Sequence, residues 1–241
     1  MTTMVALDQR RALKDRLDSL RAAYGDLRGA ALIAAMAHDE FPGAFAVVSS
    51  FGAESVVLLD MVAAVDPSIP VLFLDTGKLF GETLRYRDRL REQLGLTEVR
   101  SFSPDAAEEQ AEDANGLLWT RDHDACCALR KVRPMQRALT GFSAWATGRK
   151  RFQSGTRSHL PAIEASDGRI KINPLVDYTL EQLNAIIEQK DLPHHPLVAD
   201  GYLSIGCMPC TRRLREGESY RDGRWAGADK TECGIHIGEG I

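Results

Sequence analysis

The chain has 241 residues, of which 44% are hydrophobic and 27% are charged, and its formal net charge at pH 7 is −4. This length and apolar content suffice for one large α/β domain, and the slightly acidic balance argues against a nucleic-acid-binding protein. The first twenty residues carry scattered charges, so we expect no signal peptide, and no other stretch is apolar for long enough to cross a membrane. An odd number of cysteines, five in all, favours the cytoplasm, where thiols stay reduced.

Hydrophobic periodicity predicts helices that alternate with buried strands. Leucines at roughly helical spacing predict an amphipathic N-terminal helix over about residues 1–24. Short apolar runs bounded by turn residues predict buried strands over 44–50, 70–75, 97–102 and 142–147. This alternation predicts an α/β fold, with a mostly parallel sheet and helices on both faces. We expect residues 1–241 to form a single domain with a mobile C-terminal tail over about 217–241.

Two loops that follow neighbouring predicted strands carry candidate ligand-binding residues. The segment Ser49-Ser-Phe-Gly-Ala-Glu-Ser55 lies between a strand and a helix, where free backbone N–H groups and the helix dipole attract anions. Asp75-Thr76-Gly77 follows the next strand, and loops beyond the carboxyl ends of parallel strands are where ligands bind. The first segment alone is weak support, because one glycine after a strand is common and the Gly-Lys-Ser/Thr of a Walker loop is absent from it.

Basic residues form two clusters further along the chain. The members are Arg149, Lys150, Arg151 and Arg157 in the first cluster, and Arg212, Arg213, Arg215, Arg221, Arg224 and Lys230 in the second. A run of charges is usually a solvated face, yet two clusters that flank glycines and cysteines favour a small anionic ligand.

The five cysteines divide into a set of four and a single one. Cys126 and Cys127 are adjacent, and Cys207 and Cys210 form a C-x-x-C pair. Adjacent side chains diverge on a helix and chelate one ion poorly, whereas each can bind a different iron of a cubane cluster. We therefore expect a 4Fe-4S cluster, with a zinc site or a C-x-x-C redox pair as the alternatives. Lys131, one helical turn after Cys127, would lie against the cluster or a bound anion.

The remaining cysteine, Cys233, lies in the motif Lys230-Thr-Glu-Cys-Gly-Ile-His236. A polar, glycine-rich segment is a poor place for an inert buried thiol. Nearby cations stabilise a thiolate, so Lys230, His236 and the upstream arginines would make this thiol a good nucleophile. The sequence therefore predicts Cys233 as the catalytic residue.

Together these motifs resemble those of the assimilatory sulfonucleotide reductases, and more specifically the bacterial adenylylsulfate (APS) reductases. The resemblance runs from about Phe45 to His236 and includes Leu74-Asp-Thr-Gly77 and Gln153-Ser-Gly-Thr-Arg157 besides the segments above. It implies a PP-loop, or adenine nucleotide α-hydrolase-like, sheet. Members with all four cluster cysteines typically use APS, and those without them use the 3′-phosphorylated analogue PAPS, so the resemblance implies APS as substrate.

The resemblance also implies a mechanism. The Cys233 thiolate attacks the sulfur of APS, AMP leaves, and thioredoxin releases sulfite from the resulting S-sulfo cysteine. The implied roles are Ser50, Gly52 and Ser55 at the phosphosulfate, Asp75, Thr76 and Gly77 at the adenosine, and Lys131, Arg151, Arg157, Arg221 and Arg224 as neutralising cations. The sequence ends soon after Cys233, so we expect thioredoxin to be a separate protein, and the family suggests a possible homo-oligomer.

One segment departs from the family pattern, and two alternative functions stay open. Where many members have Gly-Leu-Arg-Arg-Asp/Glu-Gln-Ser, this chain has Gly148-Arg-Lys-Arg-Phe-Gln-Ser154. Lys150 lacks the bidentate fork of arginine, and Phe152 removes an acid. The alternatives are a PAPS reductase, and a non-redox, zinc-binding PP-loop protein that binds or adenylates nucleotides.

Overall fold

Six short strands form one sheet in the computed structural model, which describes residues 2–225, 230 and 232–236, without the side chains of residues 2–6. The strands are β1 (Phe45–Val48), β2 (Val71–Leu74), β3 (Val99–Phe102), β4 (Ala144–Thr147), β5 (Ile163–Ser166) and β6 (Arg169–Ile172). Their order is β3-β2-β1-β4-β6-β5, and four neighbouring pairs are parallel while β5 and β6 are antiparallel. The predicted mostly parallel α/β sheet is confirmed.

The two central strands set the position of the site. Every residue of β1 and β4 is buried, which is expected of parallel strands that are covered on both faces. Val48 is in register with Leu72 of β2 and with Thr147 of β4. The loops that follow these three strands therefore leave the sheet at one edge, where they can contribute to a common cavity.

Helices cover both faces of the sheet. The α-helices of the described residues are α1 (Thr2–Tyr24), α2 (Gly29–Ala34), α3 (Ser55–Val65), α4 (Gly81–Gln93), α5 (Ala106–Asp113), α6 (Leu118–Arg121), α7 (His123–Cys127), α8 (Arg133–Ala138) and α9 (Leu180–Gln189). A π-helical turn, Ala128–Val132, joins α7 to α8. Thr179 caps α9 by accepting a hydrogen bond from the Gln182 backbone. No helix among the described residues combines the length and the apolar character that crossing a bilayer requires.

The buried core has one large part and two smaller parts, one of which lies around Leu118, Cys126 and Leu129. The large part includes Leu17 and Leu20 of α1 and the apolar side of α3. The other smaller part includes Trp145 of β4 together with Met135 and Leu139. The predicted tail over 217–241 includes residues 226–229, 231 and 237–241, which lie outside the described residues.

A buried ion pair ties the helices that follow β3 to the loop after β2. The side chains of Arg130 and Asp113 are 2% and 0% exposed, and Arg130 Nη2 lies 2.6 Å from Asp113 Oδ2. Arg130 also donates to the Thr76 backbone carbonyl at 2.8 Å, and Asp113 accepts from the Leu118 backbone N–H at 2.7 Å. Arg130 Nη2 also lies 2.7 Å from Glu109 Oε1 of α5. The pair with Asp113, supported by Glu109, therefore fixes α5, α6 and the π-helical turn against the edge of the sheet where the site lies.

Replacing Asp113 by alanine should destabilise the protein by roughly 3 kcal/mol, because it leaves a buried guanidinium without its main counter-charge. Urea unfolding followed by circular dichroism measures this change. Glu112→Ala is the matched control, since Glu112 pairs with Arg133 at the surface and should change stability far less. Equal effects of the two substitutions would contradict the importance of the buried pair.

Candidate functional site

A large cavity lies beyond the carboxyl ends of β1, β2 and β4. It holds about 1190 Å³ of empty space, counting the part that is open to solvent. Its walls come from the loop after β1, the loop after β2, the basic loop after β4 and the C-terminal segment. Several separate segments of the chain therefore meet at the edge of the sheet where ligands of parallel α/β proteins bind.

The cavity brings together most of the residues that the sequence singles out. Those lining it are Ser50, Gly52, Ser55, Thr76, Lys131, Arg157, Arg221, Arg224, Cys207 and Cys233. Residues from distant parts of the chain thus converge on one site.

Three of the predicted substrate-binding residues lie elsewhere. Arg151 is exposed, pairs with Asp177 and donates to a backbone carbonyl, so its charge is directed away from the cavity. Asp75 accepts a hydrogen bond from the Gly77 backbone at 3.1 Å and shapes the turn after β2. Neither Asp75 nor Gly77 lines the cavity. The geometry therefore does not support direct contacts between the substrate and these three residues.

The loop after β1 makes a tight turn. Phe51 has a φ of +50° and its ring packs edge-on against Phe73 at 5.4 Å, below the loop. A Cβ atom on Gly52 would lie 3.4 Å from Ser50 Oγ, so the absence of a side chain leaves room for a ligand atom at this point. Because α3 begins at Ser55, the positive end of its dipole faces the cavity.

A buried charge network that the sequence analysis missed lies beside this loop. Lys150 is 3% exposed and its Nζ lies 2.5 Å from Glu54 Oε2, which also accepts from Gln153 Nε2 at 3.2 Å. Glu54 Oε1 is buried and has no hydrogen-bond partner among the described residues. Lysine offers one point charge where an arginine fork could reach both carboxylate oxygens.

Phe152, the other departure from the family pattern, packs edge-on against Tyr220.

The four predicted cluster cysteines line a second, smaller cavity. Cys126 and Cys127 end α7, while Cys207 pairs with Leu79 in an isolated β-bridge. The C-x-x-C segment closes through a hydrogen bond from the Cys210 backbone to the Cys207 carbonyl at 3.0 Å. Cys126, Cys127 and Cys207 are buried and Cys210 is half-buried. Thiols from two distant segments therefore share one enclosed space.

The thiols interact electrostatically with one another. Burial raises the pKa of Cys126 and Cys210 and raises that of Cys127 to about 11, and the thiolate of Cys207 adds to each shift. The pKa of Cys207 is lowered in spite of burial, because of the cation of Lys131 and a hydrogen bond with the Thr76 hydroxyl. Binding a metal here would release protons from the thiols.

Lys131 lies at the junction of the two cavities. It lines both of them, as does Cys207. Burial disfavours its charge, yet the thiolates of Cys207, Cys233 and Cys127 raise its pKa above the ordinary lysine value. Lys131 therefore stays positively charged between the four cysteines and the single one.

Lys230 and His236, which the sequence predicts as the cations near Cys233, have other partners in the structure. Lys230 pairs with Asp124 at the start of α7. His236 stacks on Trp145, and burial together with the cations of Lys171 and Arg149 holds its pKa well below the ordinary value. The ammonium group of Lys230 is therefore paired, and the imidazole of His236 is neutral.

Two cations, Lys131 and Arg221, line the same cavity as Cys233. Burial lowers the pKa of Arg221 to about 10, so its guanidinium is still charged at neutral pH. Cys233 itself is half-buried at the cavity wall. The site thus offers an accessible thiol beside two cations.

Sequence comparisons place the chain among reductases. The family described as "Phosphoadenosine phosphosulfate reductase domain" matches residues 44–213. The adenosine 5'-phosphosulfate reductase of Chelativorans sp. is 51% identical over 220 residues, which is 90% of this chain and 89% of the relative. The enzyme of the same name from Streptomyces coelicolor is 39% identical over 83% of this chain and 85% of the relative.

Structure comparisons agree with these matches. The phosphoadenylyl-sulfate (PAPS) reductase of Candida auris, solved as a phosphate complex, has a TM-score of 0.70 and 29% identity, and the match covers 82% of this chain and 97% of that one. Yeast FAD synthetase has a TM-score of 0.52 at 14% identity, over 86% of this chain and 75% of that one, which shows a shared fold alone. The resemblance inferred from the motifs is confirmed, and this chain belongs to the phosphoadenosine phosphosulfate reductase family.

Proposed function

We propose that this protein reduces adenosine 5′-phosphosulfate to sulfite and AMP. The observation that carries the proposal is the junction at Lys131, where a cation-lined cavity containing Cys233 meets a cavity lined by four cysteines. Relatives named adenosine 5'-phosphosulfate reductase, up to 51% identical over 90% of the chain, support the same reaction.

The nucleotide would bind across the carboxyl ends of β1, β2 and β4. The backbone of the loop after β1 and the hydroxyls of Ser50 and Ser55 would hold the phosphosulfate, and Thr76 would lie near the adenosine. The cations Lys131, Arg221 and Arg224 would offset the negative charge of the substrate and of the departing AMP.

In the proposed first step, the Cys233 thiolate attacks the sulfate sulfur of APS. A sulfur–sulfur bond forms, and the bond between this sulfur and the bridging oxygen breaks. AMP leaves with the bonding electron pair, and Cys233 becomes an S-sulfo cysteine. Lys131 and Arg221 would lower the energy of the attacking thiolate and of the charge that moves onto the phosphate.

In the second step, a thioredoxin thiolate attacks the Cys233 sulfur, and sulfite leaves with the electron pair of the sulfur–sulfur bond. The second thioredoxin thiol resolves the mixed disulfide, so that the thioredoxin dithiol supplies both electrons and becomes a disulfide. Cys233 returns as a thiolate.

Cys126, Cys127, Cys207 and Cys210 would hold a 4Fe-4S cluster. Four thiols around one enclosed cavity, beside the charged Lys131, fit the chemistry of such a group. A cubane accepts thiolates at separate corners, so the adjacent Cys126 and Cys127 can both be ligands. When bound, the cluster would supply a fixed negative charge that keeps Lys131 protonated and positioned.

We propose one domain, because Leu17 and Leu20 of α1 lie in the same buried core as α3. We propose the cytoplasm as the compartment, because all five cysteines are free thiols. The homo-oligomer that the family resemblance suggests stays a prediction.

Cys233→Ser should abolish sulfite release and keep the cluster. A serine hydroxyl is a far weaker nucleophile than a thiolate and cannot form the S-sulfo intermediate, so we expect turnover to fall by about 10³-fold or more. Sulfite production from APS with reduced thioredoxin measures the rate, and iron content checks the cluster. Normal turnover of this variant would place the nucleophile elsewhere.

APS should be a better substrate than PAPS. Competing reduction of the two nucleotides by the purified protein measures the ratio of their kcat/KM values, and we expect this ratio to favour APS by about tenfold or more. A preference for PAPS would instead support the second candidate, for which the structural match to a PAPS reductase is the favouring observation.

Cys210→Ser should lose iron and acid-labile sulfide together. Removing one of four thiolate ligands weakens the cluster, while the Cys233 thiol itself is retained. Elemental analysis of anaerobically purified protein measures the loss, and wild-type protein is the reference. Zinc in place of iron in the wild type, with ATP-dependent turnover that does not need Cys233, would favour the zinc-binding alternative.

A further inference from the structure

The carboxylate next to the proposed nucleophile is held by an arginine of the cavity. Glu232 precedes Cys233, and both of its oxygens accept from Arg157, Oε1 from Nε at 2.7 Å and Oε2 from Nη2 at 2.8 Å. Arg221 Nη2 lies 3.5 Å from Glu232 Oε2. The side chains of Glu232 and Arg157 are only 13% and 7% exposed. This bidentate geometry is also the one in which a guanidinium binds a phosphate.

Glu232 carries a full negative charge in this position. Burial alone would raise its pKa, but the hydrogen bonds and charge of Arg157, with the charges of Arg221 and Arg149, lower the pKa below the ordinary value. Arg157 directs three N–H groups at Glu232 and at Gln153. In the structure the cavity therefore already contains an anion at its arginines.

A bound nucleotide and Glu232 would compete for the same donors. The proposed attack places the phosphosulfate beside Cys233, and so beside the adjacent Glu232. Two anions at one guanidinium repel each other strongly in a partly buried site. The arginines can therefore bind only one of the two anions at a time.

We propose that Glu232 is a positioning residue that fills the anion site of the empty cavity and yields Arg157 and Arg221 to the nucleotide phosphate. This inference rests on the proposed function for the identity of the nucleotide. With the cavity empty, Glu232 satisfies guanidinium groups that would otherwise be buried without a counter-charge. With nucleotide bound, the release of Glu232 frees the adjacent Cys233 to align with the sulfur. Access of the thiol to substrate is thereby linked to phosphate binding.

The test is the affinity for AMP of the Glu232→Gln variant, measured by isothermal titration calorimetry on the cluster-containing protein. Removing the competing charge should tighten AMP binding by about tenfold, the size expected for a charge-assisted hydrogen bond. The KM for APS should fall in parallel, whereas loss of a merely structural contact would raise KM or leave it unchanged.

Glu218→Gln is the matched control. Glu218 makes the same kind of bidentate pair, accepting from Arg212 at 2.6 and 2.7 Å, but it does not line the cavity. This control should leave the AMP affinity and the KM unchanged. A thermal melt of each variant checks folding, and if Glu232→Gln does not fold, Glu232→Asp replaces it with the same expected direction, because the shorter carboxylate withdraws from Arg157.

A double-mutant cycle with Arg157→Gln tests the partner. Arg157→Gln should weaken AMP binding, and adding Glu232→Gln in that background should tighten it clearly less than in the wild type, because only Arg221 is left for the two anions to share. Unchanged or weaker AMP binding by Glu232→Gln, or full tightening without Arg157, would overturn the inference. Wild-type protein that binds AMP but does not reduce APS would refute the proposed function instead, so the two failures are distinguishable.

Discussion

Buried positive charge at the carboxyl edge of the sheet is the constraint on which the rest of the site depends. Arg149, Lys150 and Arg157 are each less than 9% exposed, and a buried cation is tolerated only when it is paired. Each of the three pairs with a carboxylate, from Glu164, Glu54 and Glu232 in turn. The carboxylates come from β5, the loop after β1 and the C-terminal segment, so pairing of charges also holds distant parts of the chain together.

The same constraint links the two cavities. Lys131 is compensated by thiolates, and these belong both to the four-cysteine set and to Cys233. Arg130, the preceding residue, is anchored by Asp113 and by the Thr76 carbonyl. The two adjacent cations of the π-helical turn thus have different partners. Arg130 binds groups that hold the fold together, whereas Lys131 interacts with the thiolates of the site. The position of Lys131 therefore depends on the same turn that Arg130 fixes to the sheet.

The sequence predicts the strands and the loops better than it predicts the direction of side chains. Apolar runs locate β1 to β4, but the short β5–β6 hairpin was missed, although Asp167-Gly168 between its strands is a typical turn pair, with both residues at positive φ. Arg151 and Arg157 are equivalent in a basic cluster, and only the fold shows that Arg157 lines the cavity while Arg151 pairs with Asp177. The role of Glu232 is not visible in the sequence, because it depends on a partner 75 residues away.

Cys233 shows why neighbours in the sequence are poor guides to the electrostatics of a thiol. Lys230 and His236 flank it in the motif, yet Lys230 pairs with Asp124 and His236 is neutral against Trp145. Cations repel each other, and Lys171 and Arg149 lie close enough to His236 to disfavour a further positive charge there. Lys131 and Arg221, which lie outside this motif, line the same cavity as the Cys233 thiol. Of these two, Lys131 also lines the four-cysteine cavity, so its charge is shared between that cavity and the nucleophile.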